Sequence, residues 1–444
     1  MLVSVVALAF GTSCLLSAKG LFDGYSRDGG TGDDPGSDTS VPSDDADRAD
    51  SRDDDADDIT RNDAGADADS DTDADSDTDA DSDTDADVDI PDEPVAPVEL
   101  PTCGPNGAHP AVLWTGSEFV VGLISGVDDE QHVELIRFDP GAVPPTTGER
   151  VTSASGTYED VSLAASGDRV AVGWTAQVGG QWEAQVRLFP DDAEPSRVYG
   201  PLSHQADRDD AHVHWLGARL AFTVRTPESE GDALRWLPVD DTSEIELVAA
   251  RADSLGELSL RMRDAGPVVA AGGGTTVYFP VAGEWSAARV SGLGTGSEGD
   301  AAELDDDSLL TVWLHTPSGE SARVLDSARL TPAGDGYEQD AHHRLAFSGS
   351  DPALASVGTS AVLAFSYTPT PDERLLGLVV LDSDGVPVSE PCEVPPSMTI
   401  VNDPDIACVE GYCAVVWMEA SAYDATDFIT RVAQFPATPE LVCP

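Results

Sequence analysis

Short apolar stretches recur through residues 101–444, each following a turn residue, usually glycine, and each ending in tryptophan or another large apolar side chain. The clearest copies are 167–174, 307–313 and 411–417. With four weaker copies, the stretches end at residues 123, 174, 224, 272, 313, 365 and 417, so that successive copies lie 41 to 52 residues apart. Seven copies at a near-constant period predict a repeat architecture.

Each copy predicts a small antiparallel sheet of four strands. Stretches such as 133–138, 184–189 and 429–435 alternate apolar and polar residues with a period of two, which is typical of half-buried strands. A further strand precedes each turn, a short one closes each unit, and no helical stripe runs beyond a turn or two. Small sheets bury both faces only by packing against one another in a ring. We therefore predict an all-β fold, a seven-bladed β-propeller, over residues 101–444.

The first hundred residues differ in composition from the rest. Residues 1–100 carry 30 acidic and 5 basic side chains, and all eight tryptophans lie after residue 113. From Asp67 to Asp89 an aspartate stands at every second position of a six-residue repeat. Charge repulsion and the lack of an apolar face predict a disordered, extended linker over residues 15–100. The repeat lacks the glycine and glutamate of an EF-hand loop, so we expect diffuse counter-ion binding there.

The N-terminus, residues 1–14, is typical of an export signal. An apolar run, Met1 to Phe10, is followed by small residues and then by Cys14. This cysteine resembles the lipidated cysteine of the bacterial lipobox, and Leu15 after it favours outer-membrane rather than inner-membrane retention in that family. The alternative is a plain secreted protein. Taken together, the chain resembles bacterial lipoproteins with an Asp-rich linker and a seven-bladed propeller, a resemblance that implies architecture more than activity.

The net charge limits the partners. Lys plus Arg is 23 and Asp plus Glu is 83, a formal net charge of −60. Nucleic acid is disfavoured because its phosphates need cationic neutralisation, and docking on anionic lipid is disfavoured for the same reason. We expect a monomer that contacts the membrane only through its N-terminal lipid and presents the propeller to an extracellular or periplasmic ligand.

The cysteines after Cys14 indicate an oxidising compartment. Cys408 and Cys413 flank a short turn. A hairpin at this turn would bring the two cysteines within disulfide range. Cys103 and Cys443 lie at the two ends of the predicted ring, so a bond between them would lock its closure. Cys392 is then unpaired, or takes Cys103 or Cys443 instead. No cysteine and histidine spacing matches a structural zinc site.

A polar residue stands just before the first strand of each predicted blade. The seven are His109, Asp160, Asp210, Glu257, Asp300, Asp351 and Asp403. First strands line the channel of a propeller, so we expect this set at the channel mouth. Its functional interpretation is a cation site, with calcium as the candidate ion, or a funnel for a cationic ligand. The structural interpretation, which we favour, is that the side chains bond backbone N–H groups at turns.

Other candidate chemistry is sparse. His212 and His214 form a candidate loop site for a metal or for acid–base work, although solvated loop residues explain them better. No catalytic motif is present, so no catalytic residue or cofactor is assigned. We rank three functions: a surface-displayed module that binds an extracellular protein, peptide or glycan; an extracellular hydrolase or lyase using carboxylate and histidine residues at the channel mouth; and a structural scaffold.

Overall fold

The computed structural model describes residues 93–444 except for 101–108, 127–129, 191–195, 203–210, 217–218, 229–230, 240–245, 252–258, 264–265, 272–275, 282–283, 290–297, 318–322, 335, 371–372, 410, 422–427, 439–440 and 442. The described residues form seven four-stranded antiparallel sheets and no α-helix. The predicted all-β, seven-bladed propeller is therefore confirmed. Within the same residues, no helix has the length and apolarity needed to cross a bilayer.

The strands follow one another blade by blade. After β1 (Val95–Leu100), blade 1 holds β2 (Ala111–Trp114), β3 (Phe119–Ser125), β4 (His132–Phe138) and β5 (Glu149–Arg150), and blade 2 holds β6 (Tyr158–Ser166), β7 (Arg169–Val178), β8 (Gln181–Phe189) and β9 (Ser196–Leu202). Blade 3 holds β10 (Ala211–Leu216), β11 (Arg219–Glu228), β12 (Gly231–Pro238) and β13 (Glu246–Arg251), and blade 4 holds β14 (Ser259–Arg263), β15 (Gly266–Ala271), β16 (Thr276–Val281) and β17 (Glu284–Arg289).

The remaining blades follow the same plan. Blade 5 holds β18 (Glu298–Glu303), β19 (Leu309–His315), β20 (Val324–Ala333) and β21 (Gly336–Arg344), and blade 6 holds β22 (Gly349–Val357), β23 (Ser360–Thr370), β24 (Glu373–Leu381) and β25 (Cys392–Val394). Blade 7 holds β26 (Ile400–Val409), β27 (Tyr412–Ala420) and β28 (Phe428–Pro436).

The second strand of each blade explains the repeat in the sequence. β3, β19 and β27 are buried along their whole length, because neighbouring blades cover both faces of the sheet at this position. Trp174, Trp313 and Trp417, in the second strands of blades 2, 5 and 7, are among the largest fully buried side chains. An outermost strand such as β21 instead alternates exposed and half-buried residues. The turn-plus-apolar pattern thus marks the second strands.

The ring closes through a strand that the sequence did not predict. Inner strands contact one another around the ring, and β26 of blade 7 contacts β2 of blade 1. The fourth strand of blade 7 is β1, which pairs with β28 so that Val98 faces Val432 and Leu100 faces Thr430. The predicted boundary of the propeller at residue 101 is therefore wrong, since residues 95–100 belong to the fold.

Two disulfides lie at the end of the ring opposite the starts of the inner strands. Cys408 and Cys413 are bonded across the β26–β27 hairpin, as predicted. Cys443 is bonded to Cys392 in β25, not to Cys103, which lies outside the described residues. The expected Cys103–Cys443 lock is therefore corrected: β1 closes the ring, and the C-terminal tail is fastened to blade 6.

Candidate functional site

Three of the predicted mouth aspartates occupy equivalent positions on inner strands. Asp160, Asp351 and Asp403 lie where the register of β6, β22 and β26 shifts at a β-bulge. Their φ angles are 52°, 52° and 46°, in the left-handed region that aspartate tolerates better than most residues. All three line a cavity of about 740 Å³ at the channel, and His109, just before β2, lines it too.

Asp300 lies deeper than predicted because the inner strand of blade 5, β18, has no bulge. Its strand runs in continuous register with β19, and its side chain is buried. One carboxylate oxygen accepts the N–H of Ala301 at 2.8 Å, and the other accepts the N–H of Leu354 in blade 6 at 2.7 Å. For Asp300 the structure thus supports the backbone-bonding interpretation, with the bond joining two blades.

Asp405 and Ser162 make the corresponding bonds at two other seams. The Asp405 carboxylate accepts the N–H of Ile406 at 2.9 Å and the N–H of Val112 in blade 1 at 2.8 Å. The Ser162 hydroxyl accepts the N–H of Val213 in blade 3 at 3.0 Å. The sequence analysis singled out neither residue. Their common position, facing the residue before the large aromatic of the second strand, would have identified them.

Glu298 supplies the mouth carboxylate of blade 5 and was missed. Its Oε2 accepts the backbone N–H of Asp351 at 2.8 Å, and its Oε1 lies 3.4 Å from Arg323 Nη1. Burial, reinforced by the negative charge of Asp351, raises the pKa of Glu298 to about 7. Glu298 therefore carries a proton for part of the time at neutral pH.

Asp351 is held by two hydroxyl groups at the mouth. Ser350 Oγ donates to Asp351 Oδ2 at 3.0 Å, and Ser366 Oγ donates to the same oxygen at 2.8 Å. Burial raises the pKa of Asp351, and the charge of Asp403 raises it further, whereas Arg374 and the two hydroxyl groups oppose the shift. The negative charges at the mouth are thus only partly compensated.

His109 places its imidazole beside one of these carboxylates. Its Nδ1 lies 3.5 Å from Oδ1 of Asp403. We define the mouth cluster as His109, Asp160, Glu298, Asp351 and Asp403. Among the residues that the structure describes, no three histidine, cysteine or acidic side chains are placed to hold a metal ion. Asp210 and Glu257 of the predicted ring lie outside the described residues.

His212 and His214 lie in strand β10, so the expectation of loop residues is wrong. His212 lines the cavity, whereas His214 is fully buried and accepts a hydrogen bond from Trp236 Nε1 at 3.0 Å. Burial lowers the pKa of His214 to about 4, and the charge of His212 adds a smaller lowering. His214 is therefore a neutral core residue at physiological pH.

No protein-family model matches the sequence, and no curated protein matches it. Among solved structures, a protein of unknown function from Dyadobacter fermentans is similar with a TM-score of 0.44 and 12% identity, over 78% of this chain and 100% of that one. The NanB sialidase from Streptococcus pneumoniae is similar with a TM-score of 0.43 and 8% identity, over 78% of this chain and 71% of that one. Likenesses this distant carry no information about activity.

Proposed function

We propose that the propeller is an envelope-tethered binding module whose mouth cluster binds a basic group of an extracellular peptide or protein. The observation that carries the proposal is that four carboxylates, from blades 2, 5, 6 and 7, line one cavity of about 740 Å³ at the end where the inner strands begin. Five further acidic residues line the rest of the same cavity: Asp300, Glu303, Asp305, Asp307 and Asp405. A cavity of this size accommodates a side chain and its neighbours. Burial raises the pKa of Glu298 and Asp351, and neighbouring negative charge raises both further. A basic group is favoured over a neutral glycan because it offsets that negative charge.

A binding titration with the full chain tests this proposal. The probe is a short labelled peptide containing two arginines, measured by anisotropy at about 0.15 M salt, where long-range attraction is screened. We expect the double variant Glu298→Gln/Asp403→Asn to bind at least about tenfold more weakly, which is about 1.4 kcal/mol.

The control must distinguish binding at the mouth cluster from non-specific attraction of the peptide to the acidic protein. Asp306 and Asp384 both pair with Arg329 at the opposite end of blade 5, so Asp306→Asn/Asp384→Asn replaces the same number of carboxyl side chains outside the mouth cluster. We expect this control to bind within about twofold of the original protein. Equal weakening in both double variants would contradict the proposal.

Export and tethering are part of the same proposal. The two disulfides are in keeping with folding outside the reducing cytoplasm. We propose that Cys14 carries a diacylglyceryl group that anchors the chain in the outer membrane. Intact mass spectrometry of the protein from bacterial envelopes would show the lipid adduct, and Cys14→Ser would abolish it. An unmodified Cys14 in the exported protein would instead support plain secretion.

One observation favours a second candidate, a hydrolase. A carboxyl group with a pKa of about 7 is half protonated at neutral pH and is thus suited to general acid catalysis, with Asp403 or Asp160 as the second carboxyl group. Hydrolysis of chromogenic glycosides or peptides that Glu298→Gln abolishes would establish this activity. Ligand binding without turnover would support the binding module alone.

A further inference from the structure

Arg374 connects the two aspartate segments of blades 6 and 7. It lies at the start of β24, on the side of the ring where the inner strands begin. Nη1 donates to Oδ1 of Asn402 at 2.5 Å, and Nη2 donates to Oγ of Ser350 at 2.5 Å. These acceptors immediately precede Asp403 and Asp351, so one guanidinium group holds the residue before each mouth aspartate.

The contact with blade 6 continues to the carboxylate itself. Ser350 accepts from Arg374 and donates onward to Asp351 Oδ2 at 3.0 Å. On blade 7, Asn402 is the last paired residue before the bulge that carries Asp403. A guanidinium group is planar and presents its donors in a fixed fork, so it sets the separation of two acceptors, which an ammonium group does not.

The charge of Arg374 acts on the same cluster. Asp351 faces Asp403 of β26, Glu298 of β18 and Arg374 of β24, with Ser350 and Ser366 bonded to it. Arg374 lowers the pKa of Asp351 against burial and against the charge of Asp403. Arg323 opposes the raised pKa of Glu298 but is half exposed, and His109 lies beside Asp403.

We infer that Arg374 is a positioning residue for the ligand site: its fork fixes the separation of Asp351 and Asp403, and its charge keeps the mouth negative in mild acid. The role of Arg374 in ligand binding rests on the proposed function, whereas its role in placing the two aspartates does not. Arg374 is itself basic and lies outside the mouth cluster, yet it promotes binding of a basic ligand. It does so because it orders and ionises the carboxylates that the ligand contacts.

The first arm of the test measures binding of the two-arginine peptide between pH 5 and 8. In Arg374→Met we expect affinity at pH 7 to fall about tenfold, and the acid midpoint of binding to move upward by about one pH unit. Arg374→Lys keeps the charge but loses the fork, so we expect the original midpoint with reduced affinity. Arg329→Met, at the opposite end of blade 5, is the matched control and should change neither quantity.

The second arm needs no ligand. Carboxyl chemical shifts of Asp351, followed by NMR against pH, should show its pKa rising in Arg374→Met and staying near the original value in Arg374→Lys. Circular dichroism checks that each variant is folded, and Arg374→Gln, which also removes the charge, replaces Arg374→Met if that variant does not fold. An unchanged Asp351 titration in a folded Arg374→Met protein overturns the inference. Failure of the original protein to bind the peptide, with the Asp351 shift present, overturns the proposed function instead.

Discussion

The polar side chains of the inner strands divide into two groups at the scale of single residues. Asp300 and Asp405 bond backbone N–H groups of the next blade, and so contribute to ring closure. Asp160, Asp351 and Asp403 lie at bulges, where the left-handed backbone places them at the channel cavity. A difference of two positions along an inner strand therefore separates a structural aspartate from a candidate ligand-binding one.

The buried His214 predicts a pH dependence of stability. Its pKa is about 4 in the folded chain and near 6.5 in the unfolded chain, so unfolding takes up a proton as the pH falls below 6.5. The free energy of unfolding should decrease between pH 6.5 and pH 4 by up to about 3 kcal/mol from this group. His214→Gln keeps an acceptor for Trp236 but does not titrate, so chemical denaturation should show a shallower decrease. Identical pH profiles for the two proteins would contradict the assignment.

At the scale of elements, the blade is a unit whose second strand carries most of its sequence signal. That strand is apolar on both faces because two sheets cover it, so its position could be predicted from the sequence in all seven blades. The bulges could not be predicted in the same way. They depend on φ at one residue per strand, and their absence from β18 moves the mouth carboxylate from Asp300 to Glu298.

The closing strand was hidden for a different reason. The segment of residues 95–100 is short, contains no tryptophan and follows the acidic repeat. No local sequence feature therefore distinguishes it from the predicted linker. They become a strand only because β28 offers an unpaired edge at the far end of the chain. Pairings over such a sequence distance are not encoded in local pattern. The same holds for Cys443, whose partner depends on the path of the tail.

The two disulfides are expected to contribute unequally to stability. Cys392 and Cys443 are 51 residues apart, whereas Cys408 and Cys413 are 5 apart. The chain-entropy model gives about 4 kcal/mol for the longer loop and about 2 kcal/mol for the shorter one. Denaturant unfolding of the two Cys→Ala pairs should therefore show the larger loss in Cys392→Ala/Cys443→Ala. The reverse order would show that the tail is not held to blade 6 in solution.

At the scale of the whole molecule, uncompensated negative charge is the dominant property. The chain carries a formal net charge of −60. Self-repulsion of this kind opposes the compact state and is screened over a Debye length of about 10 Å at 0.1 M salt. We expect the melting temperature to rise between about 0.05 and 1 M sodium chloride. A melting temperature independent of salt would mean that the charges lie too far apart to repel.

The same salt should weaken ligand binding, because it screens attraction as well as repulsion. The proposed mouth site and the acidic repeat of residues 67–89 are the two competing binding sites for a basic peptide, and protonation distinguishes them. A carboxyl group with the ordinary pKa of aspartate, about 4, is ionised at neutral pH. Glu298, with a pKa of about 7, is half protonated there. A cation that binds beside Glu298 lowers this pKa and releases a proton, whereas one that binds to the linker releases none.

Proton release on binding is therefore the most direct test of the account. The two-arginine peptide is titrated into the full chain at pH 7 by calorimetry, in buffers of different ionisation enthalpy. The slope of the observed enthalpy against ionisation enthalpy gives the number of protons exchanged. We predict release of up to about half a proton per peptide, lost in Glu298→Gln. Binding with no proton release, or with the same release in Glu298→Gln, would contradict a ligand site at the channel mouth.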